Sequence, residues 1–138
     1  MLGACCIRAY SKGQSVIALS SGEAEYYGLV SGASNALGDV AAARVWGVRL
    51  KARCIMDATA GIAIGSRRGL GRVRHIDTMF LWVQDLVLRG VLKIAKRDTR
   101  DMLADVLTKA VPEATMEEML RRMGYFYRKG EHSLALKV

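Results

Sequence analysis

A chain of 138 residues with 51% hydrophobic and 25% charged residues is too apolar for a disordered segment and long enough to bury one core. Its longest apolar run, MFLWV, is far shorter than the roughly 20 residues that cross a bilayer, and no secretory pattern opens the sequence, so an intracellular, non-secreted protein with no membrane contact is expected. With 21 Lys and Arg against 13 Asp and Glu, the net charge of +8 points to a polyanionic partner such as nucleic acid.

Residues 5–10, CCIRAY, read as a strand, SKGQ as a turn, and 16–19, VIAL, as a short extended run. Ser20 can then cap a helix with Glu23 three residues on, the reciprocal capping box. Tyr26, Leu29, Val30, Ala33, Leu37, Val40 and Ala41 recur at helical spacing, which carries that helix to about Trp46 with Gly47 as its stop. Residues 51–56, KARCIM, alternate as a strand that delivers Asp57 at its carboxyl end, and a short helix is expected over 59–66.

The run 67–75, RRGLGRVRH, is too rich in Gly and Arg for a core element. Asp77 or Thr78 can cap a helix through Met79, Leu81, Trp82, Leu86 and Leu88 that Gly90 closes. Residues 91–96, VLKIAK, form a strand. DTRDMLADVLTKA then reads as a helix capped by Asp98 or Thr99, with Met102, Leu103, Val106 and Leu107 as its buried stripe. Pro112 marks a boundary, giving a domain over 1–111 and a tail over 112–138 with one more short helix. Strands alternating with helices imply an α/β fold, a mixed sheet flanked by helices. Trp46 and Trp82 lie on or near apolar stripes and are expected in the core.

Glu25, Asp57 and Asp105 stand where chemistry is often built. Asp57 is the best single candidate, because ligands of open α/β sheets gather outside the carboxyl ends of strands. Clustered carboxylates with few histidines suit a hard ion such as Mg²⁺ or Mn²⁺. Each position also has a structural alternative: helix-dipole complementation for Glu23 and Glu25, a helix cap for Asp57, and an i,i+4 pair with Lys109 for Asp105. Cys5, Cys6 and Cys54 lack CxxC spacing and indicate neither a zinc site nor a disulfide framework.

SKGQSVIALSSGEAEYYGL, IMDATAGIAIG, GRVRHIDTMFLWVQDLV and DMLADVLTK, in that order over roughly residues 3–110, together resemble the ribonuclease H domain that ends the polyprotein of copia-type retrotransposons. The resemblance implies a ribonuclease H-like fold that hydrolyses the RNA strand of an RNA/DNA hybrid during reverse transcription, with two Mg²⁺ or Mn²⁺ ions held by four carboxylates. It assigns Glu25, Asp57 and Asp105 as catalytic metal ligands and leaves Glu23 to the helix cap. It also implies a reverse transcriptase domain upstream in the same polyprotein as partner.

The sequence departs from the family in three places. The family's first strand, with its acidic ligand, lies upstream of anything matched here, Ala58 replaces the usual asparagine after Asp57, and no catalytic histidine precedes Asp105. Arg67, Arg68, Arg72 and Arg74 crowd one glycine-rich loop, a surface suited to backbone phosphates, and His75 either touches phosphate or orders the start of its helix. The alternative function is a catalytically inactive, truncated remnant that acts only as a basic nucleic-acid-binding module.

Overall fold

The computed structural model describes residues 1–69, 71, 76 and 80–125. The chain divides into two compact units, a larger one, Gly13–Met102, and a smaller one, Met1–Lys12 with Leu103–Val138. This division differs from the 1–111 and 112–138 expected from Pro112. Among the described residues no helix is long and apolar enough to cross a membrane.

The larger unit is α/β. Helix α1 (Ser21–Val45) starts at Ser20, whose backbone is extended at φ −148° and whose Oγ accepts from Glu23 N–H at 3.3 Å. The Glu23 carboxylate reaches back to Leu19 N–H at 3.0 Å and accepts from the Ser20 hydroxyl at 3.3 Å, so the capping box forms one residue further out than its usual register. Glu23 is buried and the hydroxyl is one of its donors. Ser20→Ala is therefore expected to lower stability by about 1–2 kcal/mol, measured by urea denaturation.

Strand β1 (Ala52–Met56) leads into α2 (Thr59–Ser66), and α3 (Trp82–Leu88) leads into strand β2 (Leu92–Lys96). The strands are parallel, Ala52 opposite Leu92 and Met56 opposite Lys96, and Arg97 N–H extends the ladder onto Met56 O at 2.8 Å. The core lies under the inner sheet face, where Tyr26, Leu29 and Ala33 of α1 meet Ala52, Met56, Ile64, Val83 and Leu92. Trp82 packs against this core, as expected, but Trp46 is 81% exposed. The stripe of α1 leaves the core before its last turn, so Trp46, at the helix cap, has no apolar layer to enter.

Helices α1 and α2 cross closely. A Cβ on Gly65 would lie 2.7 Å from Leu29 Cδ2 and 2.8 Å from Ile94 Cδ1, and one on Gly61 would lie 2.7 Å from Met56 Cε and 3.0 Å from Glu25 Cβ. Glycine is required here for space, since an added methyl overpacks the contact.

The expected strands at 5–10 and 16–19 do not form. Leu2 and Cys5 make only an isolated antiparallel bridge, and Leu19 N–H, which a ladder would need, is spent on Glu23. Val16, Ile17 and Leu19 are all exposed, so no period-2 burial holds that run in a sheet. The sheet among the described residues is thus parallel and two-stranded rather than mixed.

The expected long helix after residue 98 is replaced by two 3-10 segments, Thr99–Asp101, which still belongs to the larger unit, and Leu103–Leu107 in the smaller one. Asp98 caps the first through Arg100 N–H at 3.0 Å, as expected, but Met102 turns extended at φ −79°, ψ 100° and ends it. A continuous α-helix would have stacked Asp101 on Asp105 at i,i+4, a like-charge pair. Helix α4 (Glu113–Arg122) follows Pro112, and Cys6 N–H donates to Met123 O at its end.

Candidate functional site at the carboxyl end of the sheet

The crossing of α1 and α2 determines where Glu25 lies. Because Gly61 is one turn into α2 and carries no side chain, Glu25 Cβ comes within 3.0 Å of the point a Gly61 Cβ would occupy, beside Met56 at the end of β1. Asp57 is the next residue. Glu25 and Asp57, the two acidic residues singled out on the larger unit, are thus both carried to the carboxyl end of β1. Glu25 is exposed while Glu23, two residues earlier, is buried in the cap, which separates a surface carboxylate from a structural one.

Asp57 does not cap α2. The N-cap is Ala58, which makes no side-chain bond to the helix. Half-buried Asp57 instead accepts from Thr99 Oγ1 at 3.2 Å through Oδ2, and Lys96 Nζ donates to Thr59 Oγ1 at 3.3 Å nearby. Thr99 thus orients the Asp57 carboxylate, a role its sequence position as a possible cap had hidden.

Asp105 belongs to the smaller unit, where Lys109 Nζ donates to its Oδ2 at 2.9 Å. The i,i+4 pair read as its structural alternative is present, although on a 3-10 segment. Among the described residues no three His, Cys, Asp or Glu side chains converge as a metal-holding group.

The arginine loop begins at the far end of α2 from Asp57. Arg67 is half-buried and turned inward, its guanidinium lying 2.6 Å from where a Gly71 Cβ would stand, and its charge reaches Tyr26. Arg68 is exposed on the rim of an open cleft of about 430 Å³ shared with Gln84, Asp85 and Arg89. Arg72, Arg74 and His75, and the expected caps Asp77 and Thr78, lie outside the described residues.

Gln84 was not singled out in the sequence, although a glutamine inside the apolar stripe of α3 is a signal of a buried polar anchor. Its amide donates to Ile64 O at 2.9 Å and Gly69 O at 3.1 Å, and its carbonyl accepts from Gly69 N–H at 2.9 Å. It ties the base of the arginine loop to the core. Gln84→Leu leaves these backbone groups unsatisfied and is expected to cost about 1–3 kcal/mol, with faster amide exchange at Gly69 as the local readout.

The donors carried to this end are hard: the carboxylates of Glu25 and Asp57, with the Thr99 hydroxyl on the latter. Such a set fits Mg²⁺ or Mn²⁺, which are commonly held by one or two carboxylates plus water and substrate phosphate. No family model, curated protein or solved structure matches the chain.

Proposed function

We propose that the chain is a metal-dependent nuclease unit of the ribonuclease H type, which hydrolyses the RNA strand of an RNA/DNA hybrid. The observation that supports this reading is the placement of Glu25 and Asp57 near the carboxyl end of β1. The ordered motifs of the sequence and the net charge of +8 agree with it.

In this reading Glu25 and Asp57 hold a divalent ion, and Thr99 fixes which Asp57 oxygen faces it. When bound, the ion supplies Lewis acidity at the scissile phosphate. Lys96, beside Thr59, adds positive charge at the same end for the hybrid backbone, and a reverse transcriptase domain upstream in the same polyprotein would deliver that hybrid. The resemblance also gives Asp105 a ligand role; its Oδ2 accepts from Lys109.

A hybrid labelled separately on each strand tests the reading, using the chain alone and the chain extended by the upstream strand that the resemblance implies. Cleavage of the RNA strand only, abolished by EDTA, is expected. No cleavage by either form, or equal cutting of both strands, would refute it. A binding-only module is the second reading, favoured by the lack of a third converging ligand among the described residues. It predicts salt-sensitive hybrid binding without cleavage by either form.

A further inference from the structure

Helix α1 ends in a backbone turn that is fully tied. Val48 N–H bonds Ala43 O at 2.9 Å, Gly47 N–H bonds Arg44 O at 3.0 Å, and Gly47 takes φ +76°, a Schellman closure with Trp46 at the C-cap. The backbone that carries Trp46 is therefore fixed, yet the residue is 81% exposed, and Val45 and Val48 beside it are also in solvent. An indole carried on a fixed backbone turn and left in water beside two exposed valines suits a contact surface.

The adjoining segment of chain carries charge of one sign. Residues 44–51, RVWGVRLK, hold Arg44, Arg49 and Lys51 and no acidic residue. All three cations are exposed, and among the described residues none is paired with a carboxylate. The platform lies some 30 Å along α1 from Glu25, 21 residues at about 1.5 Å each, so the carboxylate end does not account for it.

We propose that Trp46, Arg44, Arg49 and Lys51 form a stacking platform for single-stranded nucleic acid, separate from the carboxylate site. A base lies on the indole face and the cations take the flanking phosphates. The unopposed positive charge favours a polyanion over a second protein, whose interface core would exclude lysine and need acidic or apolar complement. Stacking on an indole is indifferent to base identity, so the site takes any unpaired strand.

Binding of a fluorescein-labelled single-stranded oligothymidylate, followed by anisotropy and by tryptophan emission, tests this. Trp46→Ala is expected to weaken binding roughly 5- to 150-fold with an unchanged thermal midpoint, and Trp46→Phe to retain most of it. Wild-type emission should be quenched on binding, while Trp82, the tryptophan left in the alanine variant, should not be. Charge reversal at Arg49 and Lys51 should lower the salt dependence by about 0.7 for each phosphate no longer neutralised. Excess EDTA should leave all of this intact, which separates the platform from the metal-dependent nuclease reading. Unchanged affinity and quenching in Trp46→Ala would overturn the proposal. So would a shift from dimer to monomer in that variant with oligonucleotide affinity preserved, which would make the patch a protein interface.

Discussion

Tyr26→Ala is expected to bring the larger unit to the edge of unfolding at ambient temperature. Tyr26 is fully buried between α1 and the sheet, packed in the cluster with Leu29, Ala33, Val83 and Leu92, and its hydroxyl donates to Phe80 O at 2.7 Å. Truncation removes a ring and leaves a cavity, which costs about 3–5 kcal/mol. A unit of this size has a total stability toward the low end of the usual range of roughly 5–15 kcal/mol, so the loss consumes most of it. Tyr26→Phe keeps the ring and deprives Phe80 O of its donor, at about 1–2 kcal/mol. Urea titrations of both variants give the comparison.

The same residue predicts an alkaline limit. Burial pushes the Tyr26 phenol from 10.0 up to about 12, against the opposing pull of the Arg67 charge. The folded pKa lies above the unfolded one, so the contribution is complete below about pH 10 and is lost as pH rises toward about 12. At about 1.4 kcal/mol per unit, the loss amounts to about 2–3 kcal/mol across that window. Tyr26→Phe should be flatter over the same pH range. Equal slopes for the two proteins would place the titration elsewhere.

Asp57→Asn and Glu25→Gln are each expected to reduce ion-dependent hybrid cleavage by more than about 100-fold, because residues that merely support ligands already cost roughly 10- to 100-fold. Thr99→Val tests that supporting role. It removes only the hydroxyl that orients Asp57 Oδ2, and about a 10-fold loss is expected. Initial rates measured beside thermal midpoints separate chemistry from folding. Wild-type rates in Asp57→Asn would refute its assignment.

What could be read from the sequence was whatever rests on local signals. Ser20 with Glu23, Gly47 and Gly90 as helix stops, and the spans of β1, α2 and β2 depend on capping chemistry, positive φ and short-range pattern. The two glycines take φ +76° and +70° at those stops. The strands at 5–10 and 16–19 were not legible because alternation gives a strand a face and no partner, and Leu19 N–H had a competing acceptor in Glu23. Trp46 misled because a helical stripe says nothing about where the facing layer ends.

At the site, Asp57 followed from its place after a strand, and the choice of Glu25 over Glu23 came from the family resemblance. Periodicity could not separate those two glutamates, and burial of one in the cap now does. Thr99 and Gln84 act through contacts 42 and 15 to 20 residues away in sequence, which no local pattern encodes.

Mn²⁺ binding followed by electron paramagnetic resonance tests most directly whether Glu25 and Asp57 form one ion site. Wild-type protein should show a tight binding phase that Glu25→Gln and Asp57→Asn each remove, with the double variant no weaker than either single one. A variant that binds as wild type does, or losses that add as for independent sites, would contradict a shared site at the carboxyl end of the sheet.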